Sequence, residues 1–268
     1  MNLTRILAIL RREFQEIVKS RGLLLAIFVP PLLITLLPLI GVAILGRVIP
    51  AESGRAGNDF GRLIQFMPEL RSWTEGEVAV FIILQQFLTF FLLMPLIIPL
   101  SIAAQSIVGE KQNKSLEPLL ATPVRTGELL FAKSLAAMLP AILATWAAFV
   151  IFIGIGRLLI TSNRVYTALL NPKWFIAMLV LAPLLSLFSV SIAVILSSRV
   201  NDTRTVQQIG GFIVMPLVIL GVAQATGLIL INAATFALGA LIVAAIDAII
   251  LRIGVRLFQR EKILTQWK

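Results

Sequence analysis

The sequence predicts an all-α polytopic membrane protein with six transmembrane helices, an N-terminal interfacial helix and a short amphipathic helix in a cytoplasmic loop. Three observations carry the membrane assignment. Six apolar stretches are each long enough to cross a hydrocarbon core about 30 Å thick at 1.5 Å rise per residue. Hydrophobic residues make up 59% of the 268 and charged residues only 13%, where a soluble domain carries roughly half and about a quarter. No segment between the stretches is large enough to enclose a core of its own.

The elements follow in chain order within a single transmembrane domain, 1–268. In 1–21, Leu3, Ile6, Leu7, Leu10, Phe14, Ile17 and Val18 recur at helical spacing, with Arg5, Arg12, Glu16 and Lys19 between them. Such a helix lies in the membrane interface; a soluble docking helix would show the same pattern. Five basic residues and a long apolar run distinguish this stretch from a secretory signal peptide. The predicted spans are 22–45, 78–104, 135–156, 174–197, 209–231 and 233–255, with Gly227 and Asn232 the turn candidates between the last two. The external loop, 46–77, repeats Phe60, Leu63, Ile64, Met67 and Leu70 at helical spacing and is read as carrying a second interfacial helix.

Basic residues orient the bundle. Sixteen Lys and Arg fall in the N-terminal segment, the 105–134 loop, the loop after the fourth span and the 256–268 tail with its approach from Arg252. Only seven fall on the other side: Arg47, Arg55, Arg62, Arg71, Arg157, Arg164 and Lys173. Positive residues stay inside, so both termini are expected in the cytoplasm. The net charge of +10 is thereby a topology signal, and no nucleic-acid partner is expected.

Cysteine and histidine are absent, which removes disulfides, thiol nucleophiles and thiolate or histidine metal sites. No catalytic residue and no metal site are expected. The nearest approach to a phosphate-binding loop, Gly41 to Gly46 followed by Arg47 and Val48, lacks the lysine and any preceding strand. An intramembrane aspartyl protease needs two acids at depth, and Asp247 alone qualifies. Prolines interrupt five spans, at Pro30, Pro31, Pro38, Pro95, Pro99, Pro140, Pro183 and Pro216. They predict kinks, either as ordinary membrane-helix prolines or as joints around a pathway.

The loop between the second and third spans is the most informative segment. Ser115 caps a short helix, Pro118 falls in its first turn, and Leu116, Leu119 and Leu120 share a face. Thr122 and Pro123 end it, and Thr126 with Glu128 starts the next helix. Three leucines bounded by Glu110, Lys111, Lys114, Glu117 and Arg125 form an apolar centre with a charged rim, the pattern of a docking surface.

This loop reads Gly109-Glu110-Lys111, then Leu116 to Leu120, Ala121-Thr122-Pro123, then Gly127-Glu128-Leu129-Leu130 and Lys133. It resembles the permease subunits of type 2 ABC transporters, as does the layout of the whole chain. More loosely, 197–212 is similar to the second cytoplasmic loop of the sodium-efflux and drug-efflux branches. The resemblance implies a permease of an ATP-driven exporter in a bacterial-type inner membrane, non-catalytic alone, whose substrate (drug, lipid or ion) stays open. It implies two copies of a separate ATPase, which carry ATP and magnesium while this chain carries no cofactor, and a second permease, identical or closely related. Besides these the partners are membrane lipids. It also implies that the loop is the coupling helix, with Leu116, Leu119, Leu120 and Pro123 docking and Glu110, Lys114, Glu117, Arg125 and Glu128 as the rim.

Other polar residues lie within spans. Gln85, Gln86 and Thr89 serve either helix packing or a wet pathway. Asp247 is paired with a neighbouring span or headgroup, or else contacts an ion or substrate. Two further functions fit the residues alone: a gradient-driven carrier using Asp247, and a membrane assembly subunit without transport.

Overall fold

The computed structural model describes residues 3–48, 67–113, 126–226, 228 and 232–257. They form α1 (Leu3–Lys19), α2 (Arg21–Val48), a 3₁₀ turn (Pro68–Ser72), α3 (Glu75–Phe90), α4 (Met94–Gln112), α5 (Thr126–Leu159), α6 (Asn163–Leu169), α7 (Pro172–Ile176), α8 (Ala182–Arg199), α9 (Thr203–Gly211), α10 (Met215–Ala225) and α11 (Ala233–Leu257). Among the described residues there is no strand. Six stretches are long and apolar enough to cross a membrane: Arg21–Ile44, Glu75–Gln112, Gly127–Leu159, Asn163–Arg199, Thr203–Ala225 and Ala233–Arg252. The chain is an all-α polytopic membrane protein.

Proline decides where these long helices change their winding. Pro95 has no N–H for the carbonyl of Phe91 four residues back. That carbonyl accepts instead from Met94, in a 3₁₀ turn (Phe91–Leu93) that joins α3 to α4 within the second span. Pro216 does the same in the fifth span, where Met215 donates to Phe212 in a 3₁₀ turn (Phe212–Val214) between α9 and α10.

The fourth span solves the same problem with a wider turn. Residues Ala177–Leu181 form a π turn in which Ala182 donates to Ala177. This takes Ala182 away from the carbonyl of Met178, and the next residue that could serve it, Pro183, has no N–H. The indole Nε1 of Trp146 in α5 donates to Met178 at 2.8 Å and satisfies it. By contrast, Pro30, Pro31 and Pro38 lie inside α2 without ending it.

The second span is the most buried of the six and forms the centre of the bundle. Its α4 packs on α8, α5 and α2, and its α3 on α2, α10 and α6. Phe91, Leu92, Met94 and Ile98 are fully buried there, and Phe91 meets Phe152 of α5 edge-on at 5.2 Å. Ser189 of α8 donates to the carbonyl of Leu96 and ties the fourth span to the second. The sixth span packs on the fourth, with Trp174 against Phe236 at 5.2 Å. Large apolar side chains such as Leu25, Phe28, Leu32, Leu143, Val150, Ile219 and Leu241 point outward, which suits a lipid-facing surface.

The N-terminal helix lies across α5 and α2. Its buried stripe is Ile6, Glu13 and Ile17, while Leu3, Leu7 and Val18 of the predicted apolar face are exposed. At the opposite face, Thr74 and Glu77 form a capping box, and Ser162 donates to Glu77 at 2.5 Å. Leu70 of the predicted external helix is buried within the 3₁₀ turn, and Met67 packs against the core. Phe60, Leu63 and Ile64 lie outside the described residues.

Beyond the fourth span, the Asp202 side chain caps α9 by accepting from the Thr205 N–H at 2.9 Å. These bonds hold its carboxyl below the ordinary aspartate value. Val206 of α9 packs with Ala104 and Val108 in a small second core, and Gln112 donates to the carbonyl of Asn201 at 2.8 Å.

Candidate functional site

A helix resting on a bundle normally buries only its apolar stripe, yet α1 buries Glu13 between Ile6 and Ile17. An isolated ionised carboxylate there would be untenable, so its partners define a site. Lys133, two turns into α5, donates to Glu13 Oε1 at 2.6 Å. The same ammonium donates to Ser106 Oγ at 2.7 Å, and Ser106 donates to Glu13 Oε2 at 2.8 Å, closing a ring. Glu110, one turn after Ser106 on α4, places Oε2 3.0 Å from Lys133 Nζ.

Charge balance is completed from the rim. Arg12, half-exposed, brings Nη2 to 3.7 Å from Glu110 Oε1 and pairs with Glu16 at 2.9 Å. Among the described residues, two buried carboxylates thus face one buried ammonium and one peripheral guanidinium. Glu13, Glu110 and Lys133 are only 3%, 5% and 6% exposed, so their attraction is little screened by solvent.

The position of this cluster along the chain matters more than its energy. Helix α4 ends at Gln112 and α5 begins at Thr126. The two residues that root the intervening loop, Glu110 before it and Lys133 after it, bind each other and α1. Any displacement of the loop is therefore presented to three helices at once.

Seven of the predicted docking residues, Lys114, Leu116, Glu117, Leu119, Leu120, Pro123 and Arg125, lie outside the described residues. The other two differ from the expectation of an exposed rim. Glu110 is buried against Lys133, and Glu128 is 4% exposed. Both face into the chain because α4 and α5 are packed together where the loop joins them.

The predicted polar residues of the second span meet the fifth. Thr89 donates to Gln224 Oε1 at 2.6 Å, and Gln86 donates to the carbonyl of Gly221 at 3.0 Å. Gln85 is buried beside them, with Oε1 lacking a hydrogen bond among the described residues. Close approach of the two spans requires Gly221, since a Cβ there would lie 2.8 Å from Phe90 Cε1 and 3.1 Å from Gln86 Nε2. Gly221→Val is expected to cost about 1–3 kcal/mol by overpacking this seam. Gly211→Val, where a Cβ meets nothing within 4 Å, is the control in a thermal unfolding comparison.

Sequence reasoning missed Glu13 and Ser106 and read Lys133 only as part of a motif. The available signal was the spacing of Ile6, Glu13 and Ile17, which puts the acid on the same helical face as two apolar residues. Asp247, expected as an acid within the last span, lies in the sixth apolar helix and is 2% exposed.

A buried ion cluster clamping the loop between the second and third of six spans is the arrangement on which the family comparison bears. Residues 7–250 match the family model described as ABC-2 family transporter protein. The chain belongs to that family. Comparison with curated proteins gives no match. ABC-2 permeases are the membrane components of ABC transporters, generally non-catalytic, and they work with an ATPase partner.

Proposed function

We propose that this chain is the permease of an ATP-driven exporter, pairing with a second permease and with two ATPase chains that bind ATP and magnesium. The observation that supports this most is the Glu13–Lys133–Glu110 cluster, which pins both roots of the 114–125 loop to the N-terminal helix. On this reading Leu116, Leu119, Leu120 and Pro123 dock into the ATPase, with Lys114, Glu117 and Arg125 around them. Closure of the ATPases upon nucleotide pushes the loop, and the buried cluster passes the push to α1, α4 and α5 together.

The seam of Gln85, Gln86, Thr89 and Gln224 is the part of the bundle we assign to the pathway. Its polar contacts join the two spans across a mostly apolar seam, so it can separate and rejoin around a substrate. The substrate is a drug, lipid or ion.

The test is to tag the chain, solubilise it gently and ask whether a soluble chain bearing a phosphate-binding loop co-purifies in equal amounts. Its consistent absence would overturn the reading. Orientation has its own check. A cysteine placed by Ser115→Cys is expected to react with a reagent confined to the cytoplasm, and one placed by Ser53→Cys is not. The reverse labelling would invert the topology.

A further inference from the structure

Asp247 stands apart from the loop cluster and from the second–fifth span seam. It shares one stripe of α11 with Phe236 and Ala240, all three buried, and α11 packs on α7, the π turn and α8 of the fourth span. The carboxylate is thus directed into the seam between the fourth and sixth spans. Among the described residues neither of its oxygens has a hydrogen-bond partner.

A second buried oxygen without a hydrogen bond among the described residues lies at a similar height by residue count. The fourth and sixth spans pack together, with Trp174 of α7 and Phe236, near the start of α11, in ring contact. Eleven residues on from Phe236 is Asp247, about 17 Å along the axis. Twelve residues on from Trp174, one of them absorbed by the wider π turn, is Ser186, fully buried and with Oγ also lacking a hydrogen bond among the described residues. By residue count, these three oxygens without a hydrogen bond among the described residues lie at a similar height on two packed helices.

Among the described residues no side chain of opposite charge pairs with Asp247. On the elements packed against α11 the charged residues are Lys173 of α7, near the start of the fourth span, and Arg199 at the end of α8. Each is on the order of 20 Å along the axis from the Asp247 level. On α11 itself Arg252 is five positions on, about 140° around the helix, and exposed. An ionised carboxylate left uncompensated in this setting is strongly disfavoured.

We propose that Asp247 and Ser186 form an intramembrane site for a small monovalent cation, a proton or an alkali ion, between the fourth and sixth spans. Charge selects the valence. One carboxylate in a seam with no other ionised group among the described residues is neutralised by a single positive charge, whereas a divalent ion would leave a net charge buried. The two orphan carboxylate oxygens and the Ser186 hydroxyl are hard oxygen donors, which suit a proton or an alkali ion and not a soft metal. The site is a means by which transport is linked to a cation.

The test uses the purified chain in nanodiscs and does not depend on an ATPase. Difference infrared spectra of wild type against Asp247→Asn at neutral pH without sodium report a protonated carboxyl by its carbonyl stretch, and radioactive sodium reports alkali-ion binding directly. The proton arm is expected to show the stretch in wild type, lost in Asp247→Asn and shifted in Asp247→Glu. The alkali arm is expected to show one sodium per chain in wild type, lost in Asp247→Asn and weakened at least tenfold in Ser186→Ala. Asp247→Glu keeps a carboxyl in place should the asparagine variant misfold. If neither an Asp247-dependent stretch nor Asp247-dependent sodium binding is found, the carboxylate is ionised and bare, and the proposal is overturned.

Discussion

Replacing Lys133 by methionine is expected to destabilise the chain by about 3–5 kcal/mol, the cost of removing one partner from a buried ion pair. Methionine is similar in length to lysine and apolar, so packing is retained and the charge is the main change. What remains is Glu13 and Glu110 with Ser106 beside them, two buried acids near the peripheral Arg12. The measurement is the thermal unfolding midpoint in mild detergent, followed by intrinsic fluorescence. A variant in which Glu13→Gln accompanies Lys133→Met removes one of the stranded charges and should regain more than half of the loss. Glu110→Gln alone is expected to be milder, because Lys133 keeps Glu13. A Lys133→Met midpoint equal to wild type would mean that the cluster is neutral or hydrated and does not clamp the loop.

The membrane architecture was legible because hydrophobic length is a one-dimensional signal that needs no partner. Each of the six predicted spans lies largely within an observed apolar helix, although the helices run further, as at Glu75–Gln112 around the predicted 78–104. Those extensions are where the sequence misleads. Glu110 falls beyond the apolar run and so reads as charged rim, and Lys133 reads only as part of a motif, but the helices continue there and pack together.

Other features depend on three-dimensional partners. Glu13 among the charges of an amphipathic helix looks solvent-facing until α5 is laid beside it. The prolines were legible as disturbances but not in kind. Which turn repairs a proline depends on what can satisfy the freed carbonyl. The second and fifth spans repair it locally by 3₁₀ bonds, and the fourth borrows Trp146 from another helix. For the same reason Gln86 and Thr89 were visible as polar residues, while their acceptors, Gly221 and Gln224, lie 135 residues away in the chain.

Leu120→Asp is expected to abolish association with the ATPase. Leu120 is the last of three leucines on one face of the loop helix read from the sequence, and on the proposed function it enters an apolar socket. Placing a carboxylate there costs on the order of 3 kcal/mol or more, roughly a hundredfold or greater in affinity. Co-purification from detergent, quantified as the ATPase-to-permease ratio, reads this directly. The same substitution leaves the chain's own stability nearly unchanged if the loop surface is free in the absence of a partner, so fluorescence melting separates lost docking from misfolding. Comparison with Lys133→Met then divides docking from transmission. The lysine variant keeps the leucines and is expected to bind ATPase wherever it folds, while losing transport because the roots of the loop are no longer held to α1. Unchanged association in Leu120→Asp would remove this loop as the contact, and the energy input would have to reach the spans through another surface.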